Sequence, residues 1–69
     1  MGRPRVEREY TTRFARDLDR WMRENQLTIA ETAGRFRVGV RTVQDWLAET
    51  HEPTFATYRR IQDVTDNQV

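Results

Sequence analysis

Cysteine is absent from the 69-residue chain, which excludes disulfides and thiolate zinc sites. Serine is absent too, and His51 is the single histidine, so no Ser/His or Cys/His pair exists for nucleophilic catalysis. One histidine holds a metal only if several carboxylates converge on it; beside Glu49 and Glu52, His51 is most simply a loop residue. Three glycines are scattered, without a phosphate-cradling run. No apolar stretch approaches the ~20 residues of a membrane span, and the charged N-terminus lacks the apolar core of a signal peptide. These absences argue against an enzyme, a cofactor, a small-molecule ligand and a membrane partner. A cytoplasmic chain is the expectation.

Lysine is missing as well: all 12 basic residues are arginine. The guanidinium fork suits bidentate contacts to phosphate and guanine, although coding bias in a GC-rich genome explains the same usage equally well. Net charge is only +1, but it is unevenly placed. Up to Arg23, seven arginines face four carboxylates; from Glu49 onward, two arginines face four. A basic front and an acidic rear predict one face for a polyanion and another for something else. A chain this short makes one domain whose folding buries roughly 60% of its surface. With disulfides excluded, association with a second copy is the expected source of added stability.

The pattern along the chain predicts an all-α domain: a compact bundle of four helices, or five, behind an extended N-terminal arm. Residues 1–10 form the basic arm and 11–69 the helical domain. Thr11 or Thr12 caps a first helix running to about Asn25, with Phe14, Leu18, Trp21 and Met22 as its apolar stripe. Thr28 opens a second helix with Glu31 three residues on, a capping box; Ile29, Ala30, Ala33 and Phe36 are its apolar side. Gly39 precedes a third helix from Val40 to about Glu49. Pro53 stops continuation, and Thr54 caps a fourth helix bearing Phe55, Tyr58, Ile61 and Val64.

Two short helices joined by about three residues make a helix-turn-helix pattern. Ala33 is small where the helices would cross, Val38 plugs the turn, and Val43 and Trp46 seat the third helix. At about 100° per residue, Arg41, Gln44, Asp45 and Ala48 then face away from the core, on a rod slim enough for the ~12 Å major groove.

Here the chain resembles the lambda-repressor-like (Cro-type, xenobiotic-response-element) helix-turn-helix family. The resemblance rests on Leu27-Thr28, Ala33, Val38, Thr42-Val43, Trp46, Pro53-Thr54 and Tyr58 with Ile61, and it covers residues 12–64. Arg37 and Gln26 stand where the family habitually has glycine, and Ile29 where members often place a DNA-touching glutamine. The short Thr65–Val69 tail leaves no room for the family's fifth helix.

The resemblance implies a sequence-specific transcriptional regulator: a small phage- or plasmid-type repressor, bacterial or phage-encoded and associated with the nucleoid, homodimeric on an inverted-repeat operator of double-stranded DNA. Arg41 and Gln44 match positions that reach base edges, and Val40 can touch a thymine methyl. Asp45 either accepts from cytosine N4 or, the favoured reading, pairs with Arg41 one turn away and steadies it. Thr28 and Thr42 match phosphate contacts, with Arg35 and Arg37 flanking the turn as further candidates. Gly2-Arg3-Pro4-Arg5 resembles an AT-hook core, which would carry Arg3 and Arg5 into a minor groove; nonspecific phosphate attraction is the simpler account. Tyr58, Ile61 and Val64 are the expected dimer surface. Two alternatives stay open: a protein-binding module such as an anti-repressor or host-takeover factor, and an excisionase-type winged helix, which LTIAETA…RTVQDWLAE also resembles.

Overall fold

The computed structural model describes residues 10–69. They form four helices, α1 (Arg13–Glu24), α2 (Ile29–Phe36), α3 (Val40–Ala48) and α4 (Phe55–Val64), and no strand occurs among the described residues. The segment after Pro53 is helical, so the strand-built wing of the excisionase alternative has no counterpart here. The arm, with Arg3 and Arg5, lies outside the described residues.

Each helix begins where the sequence places a start. Thr12 and Thr54 accept the N–H of Ala15 and Thr57 through their hydroxyls. Thr28 and Glu31 close a reciprocal capping box, with Glu31 N–H to Thr28 Oγ1 at 3.1 Å and Thr28 N–H to Glu31 Oε1 at 2.9 Å. Gly39 starts α3 without a side-chain cap.

The ends share one device. Just past each helix stands a left-handed residue that is not glycine: Gln26 (φ 55°), Arg37 (φ 60°), Glu49 (φ 64°) and Asp66 (φ 56°). Their N–H groups bond back to Arg23, Gly34, Trp46 and Asp63, and those of the following residues to Met22, Ala33, Asp45 and Gln62. This paired arrangement is the Schellman motif, which satisfies carbonyls that a helix end leaves open. Gln26 and Arg37 thus take the left-handed geometry at the two sites that lack the expected glycine.

The core is apolar and aromatic. Leu18, Trp21 and Met22 of α1, Ala33 and Phe36 of α2, Val43, Trp46 and Leu47 of α3, Ile61 of α4 and Val69 are buried together. Ring contacts thread the helices. Trp21 stacks on Phe36 at 5.4 Å, Phe36 leans on Trp46 at 6.4 Å, and Phe14 meets Trp46 and Tyr58 edge-on at 5.7 and 5.8 Å. These spacings lie in the favourable range for aromatic pairs. α3 packs against both α1 and α2, and α2 also touches α4.

Three expected core positions differ. Ala30 is exposed and Thr32 is fully buried in its place, because the Thr32 hydroxyl donates to Thr28 O at 2.8 Å and enters the core satisfied. In α4, the apolar series Phe55, Tyr58, Ile61, Val64 repeats every three residues and therefore drifts around a helix that repeats every 3.6. Nine residues carry it halfway round. Ile61 is fully buried, while Phe55 is 76% exposed and Val64 39%. Beyond α4, Asp66 and Asn67, both left-handed, turn the chain so that Val69 is buried.

Candidate nucleic-acid interface

The three-residue turn Arg37–Gly39 sets α3 against α2. Ala33 is buried at the α2 side, and Val38 is half-buried against the core with its N–H on Ala33 O at 3.0 Å. Val43, Trp46 and Leu47 hold α3 from beneath. Its other side carries Arg41, Gln44 and Ala48, all exposed, with Val40 partly exposed at the first turn and Asp45 beside them.

Asp45 sits between two partners. Its Oδ1 is 3.4 Å from Arg41 Nε, and its Oδ2 is 3.6 Å from His51 Nδ1. The Arg41 side chain is 83% exposed and that of Asp45 27%. An exposed i,i+4 pair adds only ~0.3–0.5 kcal/mol, so its consequence is orientation rather than stability. Asp45 engages Nε, which leaves both terminal nitrogens of this exposed side chain open to a bidentate acceptor. The expected steadying contact is therefore present. Thr50, donating to Asp45 O at 3.3 Å and 3.4 Å from His51 Nδ1, places His51 beside the carboxylate, a contact that no local pattern in the sequence signals.

The phosphate candidates lie on α2, at its two ends, and on α3. Thr28 is exposed at the start of α2, Thr42 is half-buried, and Arg35 and Arg37 are exposed at its end. The capping box occupies the N–H groups of Thr28 and Glu31. The open N–H groups of this turn are therefore those of Ile29 and Ala30, with the Glu31 carboxylate nearby.

Two long-range polar contacts, neither legible as a motif, hold the frame. Glu49 Oε2 accepts the N–H groups of Thr11 and Thr12, both at 2.8 Å, and their hydroxyls at 3.1 and 3.0 Å. The Thr12 N–H foremost, with the other three donors, holds the Glu49 carboxyl below its ordinary value against a smaller opposing effect of burial. Arg60 Nη1 donates to Phe36 O at 3.1 Å, tying α4 to the last turn of α2.

The expected dimer surface is corrected in part. Ile61 is wholly inside the core and offers nothing to a partner. Tyr58 is half-buried against Phe14, and Val64 alone of the three is exposed. No cluster of three or more candidate metal ligands occurs among the described residues, and none of their helices is long and apolar enough to cross a membrane. No family model, curated protein or solved structure gives a significant match to the chain.

Proposed function

We propose that this chain is a sequence-specific DNA-binding regulator that lays α3 in the major groove and acts as a homodimer on an inverted repeat. The observation that carries the reading is the outward face of α3. Arg41 and Gln44 are fully available one turn beyond a three-residue turn from α2, and Arg41 is oriented through its Nε by Asp45. Arg41 supplies a bidentate contact to guanine O6 and N7, Gln44 one to adenine N6 and N7, and Val40 an apolar contact to a thymine methyl. Thr28, Thr42, Arg35 and Arg37 set the register on phosphates. Within this reading the regulator is a phage- or plasmid-type repressor. A two-fold dimer reads half-sites about one helical turn, ~34 Å, apart.

Selection of a randomised duplex pool at two salt concentrations, beside Arg41→Ala, tests this. The expected result is an enriched inverted repeat that Arg41→Ala no longer selects. Salt-sensitive binding with no enriched sequence would reduce the reading to phosphate attraction and favour the second one, a helix-turn-helix scaffold used on another protein. The near-neutral net charge of +1 is the observation that speaks for that second reading.

A further inference from the structure

Phe55 is the large apolar side chain most out of place, 76% exposed at the first turn of α4. The Arg59 guanidinium lies 5.9 Å from its ring centroid. Beside it runs a groove of about 370 Å³ walled by Phe14, Trp46, Pro53, Tyr58 and Phe55 itself, with Glu52 also on its lining. The edge-on contacts of Phe14 with Trp46 and Tyr58 fix the floor. A single exposed apolar side chain is ordinary on a protein surface; the apolar hollow beside Phe55 is what sets this one apart.

We infer that the occupant is a second copy of this chain, docked about a two-fold axis that passes beside Phe55. An isologous contact needs a protrusion and a hollow on the same patch. Phe55 supplies the protrusion and one wall of the hollow, so the two rings meet across the axis, each entering the other copy's groove. The charges agree with this. Glu52 and Arg59 border the patch with opposite signs, and neither makes an ion pair among the described residues. Two-fold docking brings the Arg59 of each copy toward the Glu52 of the other. Glu49, the remaining carboxylate of the groove, is taken up by Thr11 and Thr12. His51, also on the lining, is beside Asp45 at 3.6 Å, so the patch presents Glu52 and Arg59 as its open charges, one of each sign, and two copies meet without net repulsion. A uniformly basic or acidic partner would leave one of those charges facing its like.

The groove lining exposes far less than the ~800 Å² per partner of a standard interface, so the free dimer is weak and is reinforced when DNA holds two copies side by side. That reinforcement alone rests on the DNA-binding reading.

Sedimentation equilibrium without DNA, from about 1 μM to about 1 mM, tests the proposal separately from that reading. The parent chain is expected to show a reversible monomer–dimer equilibrium. Phe55→Ser raises the dissociation constant roughly tenfold or more, while its thermal unfolding stays near the parent's because the ring lies outside the core. Glu52→Arg and Arg59→Glu each weaken self-association, and an equimolar mixture of the two regains it, since every reversed charge then meets its opposite. A parent chain that stays monomeric over the whole range overturns the proposal and leaves the groove to a different protein. Phe55→Ser associating as tightly as the parent, or a mixture no tighter than either variant alone, overturns it equally.

Discussion

Glu49 Oε2 accepts the backbone N–H of Thr12 at 2.8 Å, fastening the N-cap of α1 to the residue that ends α3, 37 positions along the chain. The same threonine hydroxyl accepts the Ala15 N–H and donates to Glu49. The cap of one helix and the end of another are thus a single polar unit. Because these donors lower the Glu49 carboxyl, the stability it contributes is fully present above the carboxyl's unfolded-state value. That contribution is lost as pH falls through the lower folded-state value. Thermal unfolding followed from pH 7 down through the acidic range is expected to show this loss. Glu49→Gln lowers the midpoint at neutral pH and flattens the acid limb. An acid limb unchanged in Glu49→Gln would assign it to other carboxylates.

Arg41 and Asp45 separate affinity from stability. If α3 reads bases, Arg41→Ala costs about 1–3 kcal/mol of discrimination at one position of each half-site. Arg41→Lys does not restore it, since an ammonium cannot bridge two acceptors as a guanidinium does. Asp45→Asn leaves unfolding within ~0.5 kcal/mol of the parent, as expected for a surface change, yet weakens the same base preference by freeing Arg41. Competition binding with single-base operator variants checks all three. A loss spread evenly over every position would make Arg41 a phosphate contact instead.

Much of this frame was legible in the chain. Thr12, Thr28 with Glu31, and Thr54 mark three helix starts through local side-chain chemistry, Gly39 marks the fourth without a side-chain cap, and the Leu18, Trp21, Met22 stripe follows helical spacing. The i,i+4 spacing of Arg41 and Asp45 gave their contact. What escaped depends on contacts distant in sequence. Nothing near Glu49 announces Thr12, and nothing near Arg60 announces the Phe36 carbonyl. The α4 series misled because a three-residue repeat on a 3.6-residue helix is not a face. Ile61 went in and Phe55 came out, which moves the candidate interface to the other end of the helix. The left-handed turn at Asp66 and Asn67 was signalled only by residue types that tolerate positive φ, and the burial of Val69 follows from it.

Glycine usage in and after α2 runs against local preference, which predicts two stabilising changes. Gly34 lies inside the helix, where an added Cβ would meet nothing within 4 Å. Gly34→Ala should therefore raise stability by about 0.8–1.0 kcal/mol from helix propensity. Arg37 holds φ 60° just past the helix, a geometry costing a non-glycine residue about 1–2 kcal/mol. Arg37→Gly relieves that cost, offset in part by glycine's greater freedom in the unfolded chain. Each change is expected to raise Tm by several degrees, given ~4–8 °C per kcal/mol for domains this small. If Arg37 meets a phosphate, Arg37→Gly also reduces the salt slope of DNA binding by about 1. A lowered Tm for Arg37→Gly would mean that the guanidinium contributes more than the strain costs.

Phe36 joins the helices most directly. It is fully buried, stacked on Trp21 of α1 and in ring contact with Trp46 of α3, while its carbonyl accepts Arg60 of α4. Truncating a buried phenylalanine to alanine costs about 3–5 kcal/mol. A domain of this length holds roughly 3–10 kcal/mol in all, at 0.05–0.15 per residue. Phe36→Ala should therefore leave a large share of the chain unfolded, whereas Phe36→Leu, which keeps most of the volume, should fold with a lowered midpoint. Arg60→Met removes the guanidinium from the Phe36 carbonyl but keeps much of the stem, and should cost no more than about 1.5–3 kcal/mol, the range for one hydrogen bond to a charged group. Circular dichroism with tryptophan fluorescence separates these cases, since Trp21 and Trp46 flank the ring being changed. A Phe36→Ala chain that unfolds near the parent midpoint would show that α1, α2 and α3 are held together elsewhere.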